Sequence, residues 1–334
     1  MKLATYTEKG AGAPTIGATI DLDGKPHLLD LVGAQAKLSA AGPVIPAEMR
    51  LLLDRGESGL DAARSVLRQA AGKLADTAMR AEWQAERLVT PVDGVRLLAP
   101  ISRPGKLIMV GSNYKSHVSE AGDAAKNLPP ARAEKYDWPA AFSKFPSAVV
   151  GPGEPIPYPR HTKQLDYEAE LCVVIGKRCR DVGVDDADTV IAGYTIANDI
   201  SLRDIQFAEM RRGLILLGKN SDASSPMGPY LVTRDEIPDP QDLRIRCWVN
   251  GAPRQDDSTA HMTFSVRQLV SYFSRVTLEP GDVIATGTPA GVGIFHNPPD
   301  VALLKIGDRI DIEIDGIGRL SNTIVAGTRG HDTP

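Results

Sequence analysis

The sequence contains, at residues 166–176, the segment DYEAELCVVIG, in which two glutamates precede an apolar run. The part from Leu171 to Ile175 is predicted to be a strand, because β-branched residues dominate it and a glycine follows it. Side chains alternate along a strand, so Glu168 and Glu170 are expected to point to the same face. Two like charges at such a short distance repel each other and resist burial, so a positive charge is expected between them.

Two interpretations of this glutamate pair remain open at this point. In the first, a divalent cation lies between the two side chains, since hard cations such as Mg²⁺ favour carboxylate oxygens. In the second, the strand lies at an exposed sheet edge and both glutamates contact water, which is common for charged residues. The rest of the sequence has to decide between a metal site and a solvated strand.

The composition describes a globular chain of 334 residues, enough for one large domain or for a small and a large one. It is 42% hydrophobic and 24% charged, which permits a sizeable core. The net charge is -4 and no basic block occurs, so nucleic-acid and membrane-surface partners are not expected. The first residues lack the apolar core of a signal peptide, and no apolar run is long enough to span a bilayer.

Three cysteines, Cys172, Cys179 and Cys247, form no C-x-x-C pair. An odd number without metal-ligand spacing indicates reduced, structural thiols rather than disulfides or a zinc site. We therefore expect a cytoplasmic protein.

Residues 1–95 are predicted to form a small N-terminal α+β domain. Two strands are expected within residues 16–31, around the turn Asp23-Gly24. Leucines and alanines recur at helical spacing farther on, which predicts one helix over residues 58–86.

Residues 96–330 are rich in short strands, glycines and prolines, and helical patterns are sparse. This pattern predicts a mostly-β domain and excludes the regular βαβ alternation of a doubly wound fold. The predicted elements are a strand at 106–110, hairpins at 244–251 and 310–325, and helices at 200–212 and 263–274.

A third carboxylate, Asp199, follows a predicted strand at residues 195–197, and a helix begins just after it. Ser201 is a candidate N-cap for that helix. Arg203 and Gln206 lie three residues apart, so they share one helical face on which a carboxylate, a guanidinium and an amide could converge. The alternative is an ordinary amphipathic helix with solvated polar residues.

Two loops carry further candidates. Lys219 follows an apolar run and could stabilise negative charge on a carbonyl or enolate oxygen, or it could be a solvated loop lysine. The glycine-rich loop at residues 287–293, which includes Thr288, exposes backbone N–H groups that can bind an anion. It is not a P-loop, because the Gly-Lys-Ser/Thr ending is missing.

His117 and Glu120 lie at positions i and i+3, in a stretch that can form a helical turn. On such a turn the carboxylate can orient the imidazole, which is a sensible arrangement for a general base. The alternative is a simple surface contact between two polar side chains.

Seven segments occur in a fixed order over much of the chain. Together they resemble the fumarylacetoacetate hydrolase family, as a bacterial member of the acylpyruvate or diketo-acid hydrolase type. The segments are GSNYKSHVSE (111–120), KFPSAVVGPGEPI (144–156), DYEAELCVVIGK (166–177), YTIANDISLRDIQ (194–206), GKNSDASSPMGPYLV (218–232), EPGDVIATGTPAGVG (279–293) and IGDRIDIEIDGIG (306–318).

The resemblance implies an α+β, mostly-β fold whose catalytic domain, at 96–330, is a mixed β-roll assembled as a homodimer. It also implies one divalent cation, Mg²⁺ or Mn²⁺ with Ca²⁺ as a further option, and no nucleotide or redox cofactor. The cation ligands carried over by motif are Glu168, Glu170 and Asp199. The catalytic residues carried over by motif are His117, Glu120, Arg203, Gln206, Lys219 and Thr288.

Two departures from the family pattern bear on the substrate and the metal. The longer eukaryotic hydrolases have another aspartate ligand where this chain has Ser112-Asn113-Tyr114, so three protein ligands are expected here. The lid at residues 121–142 is longer than in compact bacterial members and carries Tyr136 and Trp138. Substrate choice is expected to depend on this lid.

By this resemblance the chain is expected to be a metal-dependent hydrolase of aromatic-compound catabolism that cleaves a C–C bond in a ketonic substrate. The substrate would be a β-diketo acid such as an acylpyruvate, fumarylpyruvate or a fumarylacetoacetate-like acid. His117, oriented by Glu120, would take a proton from the attacking water. Other reactions share the enolate, so an isomerase, a decarboxylase or a hydratase acting on a 2-oxo acid is the alternative. A non-catalytic binding protein is a further alternative.

Overall fold

Two neighbouring strands, β11 (Ala169–Ile175) and β12 (Ile191–Asn198), are buried along their whole length. Strands that are buried along their whole length lie in the middle of a sheet that is covered on both faces. The computed structural model describes residues 1–9, 12–124 and 137–327. In this part of the chain, 12 strands form one large mixed sheet around β11 and β12.

The other strands of the large sheet come from both halves of the chain. They are β1 (Lys2–Glu8), β2 (Thr15–Leu22), β3 (Lys25–Asp30), β4 (Val89–Pro91), β5 (Val95–Leu98), β6 (Leu107–Gly111), β7 (Ala140–Ser143), β8 (Val149–Val150), β14 (Ser225–Thr233) and β17 (Val283–Ala285). Their order across the sheet is β4-β3-β2-β1-β14-β12-β11-β17-β6-β7, with β5 beside β1 and β8 beside β14.

Two smaller sheets complete the β-structure of the described residues. The first has two strands, β10 (Leu165–Asp166) and β13 (Ser201–Leu202). The second has five strands in the order β16-β15-β18-β19-β9. These strands are β9 (Pro155–Tyr158), β15 (Arg244–Val249), β16 (Ala252–Ser258), β18 (Arg309–Ile314) and β19 (Gly318–Ala326).

The described helices are few and mostly short. They are α1 (Leu31–Leu38), α2 (Met49–Leu53), α3 (Gly56–Leu74), α4 (Thr77–Ala85), α5 (Lys115–Ala124), α6 (Arg203–Met210) and α7 (Val266–Phe273). Four of these seven α-helices lie in the first 95 residues. Because strands dominate the rest of the described chain, the prediction of an α+β, mostly-β fold is confirmed.

The three predicted hairpins are present. Residues Asp23-Gly24 connect β2 to β3, and Asn250-Gly251 connect β15 to β16. All four of these turn residues have positive φ. A two-residue turn with positive φ at both positions matches the twist of the flanking strands, which explains why the sequence signal was reliable. The third hairpin joins β18 to β19.

The single helix predicted over residues 58–86 is wrong, because the structure has two helices there. The first, α3, ends at Leu74, and the second, α4, begins at Thr77. Asp76 caps α4, since its side chain accepts hydrogen bonds from the backbone N–H groups of Ala78 and Met79 at 2.8 and 2.9 Å. Helical spacing continues across this break, so periodicity alone could not reveal the new N-terminus.

The N-terminal strands belong to the same sheet as the strands that follow residue 95. Strand β1 pairs with β14, with Leu3 opposite Leu231. One apolar core also contains side chains from both sides, for example Leu52 and Val174. The division into domains at residue 95 therefore stays a prediction.

The three cysteines are free in the structure, and Cys172 and Cys247 are buried. Among the described residues, no helix combines the length and the apolar character that a membrane crossing requires.

Candidate active site

The antiparallel register of β11 and β12 brings three carboxylates together. Ala169 lies opposite Asn198, so the start of β11 meets the end of β12. The backbone N–H of Asp199 donates to the carbonyl oxygen of Glu168 at 2.9 Å. One carboxylate oxygen from each of Glu168, Glu170 and Asp199 lies within 4.8 Å of the others, and all three side chains are buried. The structure thus places all three predicted metal ligands in one cluster.

Two more strands end at the same edge of the sheet. Strand β17 runs antiparallel to β11 and parallel to β6, so the segments after β17 and β6 both reach this cluster. The N–H of Gly287, just after β17, donates to Glu170 Oε2 at 2.9 Å. Gly287 has φ of +92°, and a Cβ there would lie 2.9 Å from the Cβ of Asn113. Only glycine allows this close approach of the loop to the glutamate.

Lys219 contacts two of the three carboxylates. Its Nζ donates to Glu168 Oε2 at 2.7 Å, to Asp199 Oδ2 at 2.8 Å and to Ser201 Oγ at 2.7 Å. Burial alone would lower the pKa of Lys219, but Asp199 and Glu168 outweigh burial and raise it. The structure therefore excludes the alternative of a solvated loop lysine and makes Lys219 a fixed positive charge.

The prediction that Ser201 caps the following helix is wrong. The N-cap position of α6 is Leu202, and no side chain caps the helix there. The Ser201 hydroxyl instead donates to the backbone oxygen of Asp199 at 2.9 Å and accepts from Lys219. Ser201 therefore helps to fix the lysine rather than the helix.

Arg203 and Gln206 lie on the same face of α6, and Arg203 bridges two carboxylates. Its Nε donates to Asp166 Oδ2 at 2.8 Å, and its Nη2 lies 2.7 Å from Glu168 Oε1. Its Nη1 donates to Gln206 Oε1 at 3.0 Å. Gln206 thus orients the guanidinium, and both side chains are buried, which excludes the alternative of a solvated polar face.

Lys144 is a functional candidate that sequence reasoning missed. Its side chain is fully buried, and its Nζ donates to Asp199 Oδ1 at 2.6 Å and to the backbone oxygen of Ile200 at 2.9 Å. Burial lowers the pKa of Lys144, while Asp199 works in the opposite direction. Its only sequence signal was its place at the start of the matched segment 144–156, which gave no reason to expect a buried charge.

The charges of this cluster do not balance. Glu170 is 1% exposed, and among the described residues no cation lies within ion-pairing distance of it. Burial, Asp199 and Glu168 together raise the pKa of Glu170 well above its usual value. If Glu170 ionises, four carboxylates therefore face only three cations. The carboxylates are those of Asp166, Glu168, Glu170 and Asp199, and the cations are Lys144, Arg203 and Lys219.

These observations fit a divalent cation. The carboxylate oxygens supply the donors that hard cations prefer, and a cation beside Glu170 would provide the missing positive charge. Burial works to raise the pKa of Glu168 as well, but Lys219 and Arg203 outweigh it and hold the pKa below its usual value. An ionised Glu168 is a suitable ligand. The cluster could therefore hold a divalent metal ion.

His117 and Glu120 form the predicted pair near this cluster. His117 Nδ1 lies 2.8 Å from Glu120 Oε1, and the side chains are 14% and 21% exposed. Glu120 Oε2 accepts a hydrogen bond from Gly291 N at 2.8 Å, and the imidazole lies 5.8 Å from the ring of Phe295. With Nδ1–H directed at Glu120, the Nε2 atom is left to accept a proton. The loop after β17 connects this pair to the carboxylate cluster, because its Gly287 contacts Glu170 and its Gly291 contacts Glu120.

Thr288 lies in the loop after β17, where Gln255 holds it. Gln255 Nε2 donates to Thr288 Oγ1 at 2.8 Å, and Gln255 Oε1 accepts from Ala169 N at 3.0 Å. Gln255 therefore connects the loop to the start of β11. No sequence pattern distinguished this glutamine from other polar residues of the 244–258 hairpin.

The segment Ser112-Asn113-Tyr114 supplies structural contacts at this edge. Asn113 donates to the backbone oxygens of Phe264 and Thr286 and accepts from Phe264 N. The prediction about the longer lid falls partly on residues 125–136, including Tyr136, which lie outside the described residues. Trp138 is described and is exposed, so the role of the lid in substrate choice stays a prediction.

Comparison with known proteins identifies the family of this chain. The family described as "Fumarylacetoacetate (FAA) hydrolase C-terminal" matches residues 106–325. The chain is 38% identical over 326 residues to "Oxaloacetate tautomerase fahd2, mitochondrial" of Xenopus laevis, covering 97% of this chain and 90% of that protein. It is 38% identical over 312 residues to "Oxaloacetate tautomerase YisK" of Bacillus subtilis (strain 168), covering 92% of this chain and 95% of that protein.

A solved structure also resembles the whole chain. It is the fumarylacetoacetate hydrolase of the psychrophile Exiguobacterium antarcticum, with a TM-score of 0.70 and 34% identity. The superposition covers 98% of this chain and 100% of that one. The family match, the relatives and the fold lead to one conclusion: the chain belongs to the fumarylacetoacetate hydrolase family.

Proposed function

We propose that this chain is a divalent-metal-dependent enzyme that interconverts the enol and keto forms of oxaloacetate or a closely similar 2-oxo diacid. One observation carries the proposal: a single loop, residues 287–293, contacts both the His117–Glu120 pair, through Gly291, and the buried carboxylate cluster, through Gly287. Two relatives that are 38% identical over more than nine-tenths of this chain are named oxaloacetate tautomerases. Their reaction therefore replaces hydrolysis as the first candidate.

The metal ion and the protein would divide the chemistry between them. Mg²⁺ or Mn²⁺, held by Glu168, Glu170 and Asp199, would polarise the 2-oxo group as a Lewis acid and acidify the neighbouring C–H. The protein has to supply the group that moves the proton and the fixed charges around it.

His117 is the proton carrier in this proposal. In the enol-to-keto direction, C3 gains one proton and the enol oxygen loses one, so no water is consumed and no C–C bond breaks. Glu120 holds the imidazole in one tautomer and stabilises the imidazolium that forms when Nε2 takes a proton. Lys219 and Arg203 are fixed positive charges in a buried site. They stabilise the negative charge that develops on the substrate, and the surrounding groups do not have to reorient during the reaction.

Hydrolysis of a C–C bond in a β-diketo acid is the second candidate. It is supported by the name of the Exiguobacterium antarcticum protein and by the ability of a His–Glu pair to activate water. In that reaction water adds to the distal carbonyl, the adjacent C–C bond breaks, and two carboxylic fragments leave. Decarboxylation and hydration would use the same site with different products.

An assay with enol oxaloacetate separates these reactions. With Mn²⁺ present, the ultraviolet absorbance of the enol should disappear faster than in buffer, and in D₂O deuterium should enter C3. Proton NMR should show neither pyruvate nor fragments during this phase. A rate equal to that of buffer would overturn the proposal, and cleavage of an acylpyruvate panel into two acids would favour the hydrolase instead.

His117→Ala should lower the turnover number by about 10²-fold or more, because the proton carrier is removed. The affinity for Mn²⁺, measured by calorimetry, should not change, since the three proposed ligands remain. His161→Ala is a matched control, since His161 is exposed and outside the site, and it should keep full activity. An unchanged turnover number in His117→Ala would remove His117 from the mechanism.

A further inference from the structure

The residue before His117 is fixed by a carboxylate from another part of the fold. The Ser116 hydroxyl donates to Asp257 Oδ2 at 2.9 Å and accepts from Ala290 N at 3.3 Å. Ser116 is the second residue of α5, so this contact lies at the N-terminal end of the helix that carries both His117 and Glu120.

Asp257 is itself held in place by its own strand and turn. It lies in β16, and 13% of its side chain is exposed. Its Oδ1 accepts from Ser258 N at 2.7 Å and lies 2.5 Å from Nδ1 of the exposed His261. These contacts leave Oδ2 directed at α5, so the carboxylate is a rigid acceptor for Ser116.

Strand β16 also contacts the 287–293 loop and the start of β11, which border the carboxylate cluster. Gln255, two residues before Asp257, bonds to Thr288 and to the start of β11. Since residues i and i+2 lie on one face of a strand, the same face of β16 presents Gln255 to the start of β11 and Asp257 to α5. One strand thus sets the position of α5, which carries His117 and Glu120, relative to the carboxylate cluster.

We propose that Asp257 is a positioning residue for proton transfer, which acts through Ser116 to hold the His117–Glu120 pair in its working orientation. This inference rests on the proposed role of His117. Negative charge near the first turn of a helix is favourable, so Asp257 stabilises the short helix α5 in this place. Small displacements of a catalytic group cost large factors in rate, so the contact matters for turnover.

The first test removes the contact from each side. Asp257→Ala and Ser116→Ala should each lower the turnover number for enol oxaloacetate by about 10-fold or more, with Mn²⁺ affinity unchanged. Asp256→Asn is the control, because Asp256 is exposed and pairs with Arg244, and it should keep full turnover. If Asp257→Ala does not fold, Ser116→Ala decides the question alone. Full turnover in Ser116→Ala would overturn the proposal.

A second test separates positioning from a general structural role. In a His117→Ala background, Ser116→Ala and Asp257→Ala should lower the residual turnover by less than about 2-fold, since residues that act through one group are not additive. An equal loss in both backgrounds would show a structural role only and overturn the inference. Full activity of His117→Ala alone would instead defeat the proposed function, so the two failures are distinguishable.

Discussion

Glu170→Gln is expected to abolish turnover and to weaken Mn²⁺ binding by at least about 10²-fold. Glu170 is the buried carboxylate for which the described residues provide no cation, so an ionised Glu170 would supply uncompensated negative charge to a bound metal ion. The amide keeps the size of the side chain and can still accept the hydrogen bond from Gly287 N. Calorimetric titration with Mn²⁺, together with the enol assay, would measure both effects.

The stability of the metal-free Glu170→Gln protein should not fall, in contrast to its turnover and its Mn²⁺ affinity. Because the substitution removes an unpaired buried ionisable group, the free energy of unfolding should equal or exceed that of the unsubstituted protein. Glu168→Gln and Asp199→Asn should instead lower it, because each leaves Lys219 short of a partner. Glu313→Gln is a suitable control, since Glu313 pairs with Arg246 and is partly exposed. Mn²⁺ affinity in Glu170→Gln equal to that of this control would exclude Glu170 as a ligand.

Lys144→Met should lower the free energy of unfolding by about 3–5 kcal/mol, which is typical for breaking a buried ion pair. The lysine is completely buried, and methionine removes the cation from Asp199 and the donor from the Ile200 carbonyl. Lys219 still contacts the second oxygen of Asp199, so the loss should fall toward the lower end of this range. Urea denaturation of the metal-free protein would measure it.

Lys106→Met is the matched control for this effect. Lys106 pairs with Asp282 at 2.8 Å, but its side chain is 35% exposed, and Asp282 keeps its bond from the backbone N–H of Lys106. The expected loss is therefore about 1 kcal/mol or less. If Lys144→Met cost no more than Lys106→Met, the buried contact of Lys144 with Asp199 would not be important for stability.

Local signals predicted the parts of this fold that depend on few residues. The Asp23-Gly24 and Asn250-Gly251 turns fixed two hairpins, because their positive φ angles strongly constrain the chain. The break between α3 and α4 was missed, since apolar spacing continues through it. Asp76, the N-cap of α4, gave no clear signal, because an aspartate is also compatible with the exposed surface of a continuous helix. The pairing of β1 with β14 was not predictable, because no local pattern encodes a contact between residues more than 200 positions apart.

The site was predictable where chemistry and spacing coincide. Strand alternation predicted that the glutamates at 168 and 170 share a face, and Asp199 was placed after a predicted strand. The assignment of Asp199 as a metal ligand depended on the family resemblance. Lys144, Gln255 and Asp257 were missed for a common reason. Each reaches the site from another segment of the chain, and its burial depends on tertiary packing that the sequence around it does not show.

The pairing of β1 with β14 also makes the first residues of the chain relevant to catalysis. Strand β14 lies between β1 and β12, and Asp199 follows the end of β12. A substitution that weakens β1 would therefore be transmitted across two strand pairings to the carboxylate cluster. Such a variant would contain fewer active molecules while each active molecule kept its normal rate. Active-site titration would reveal this loss, which a kcat calculated from total protein would misattribute to chemistry.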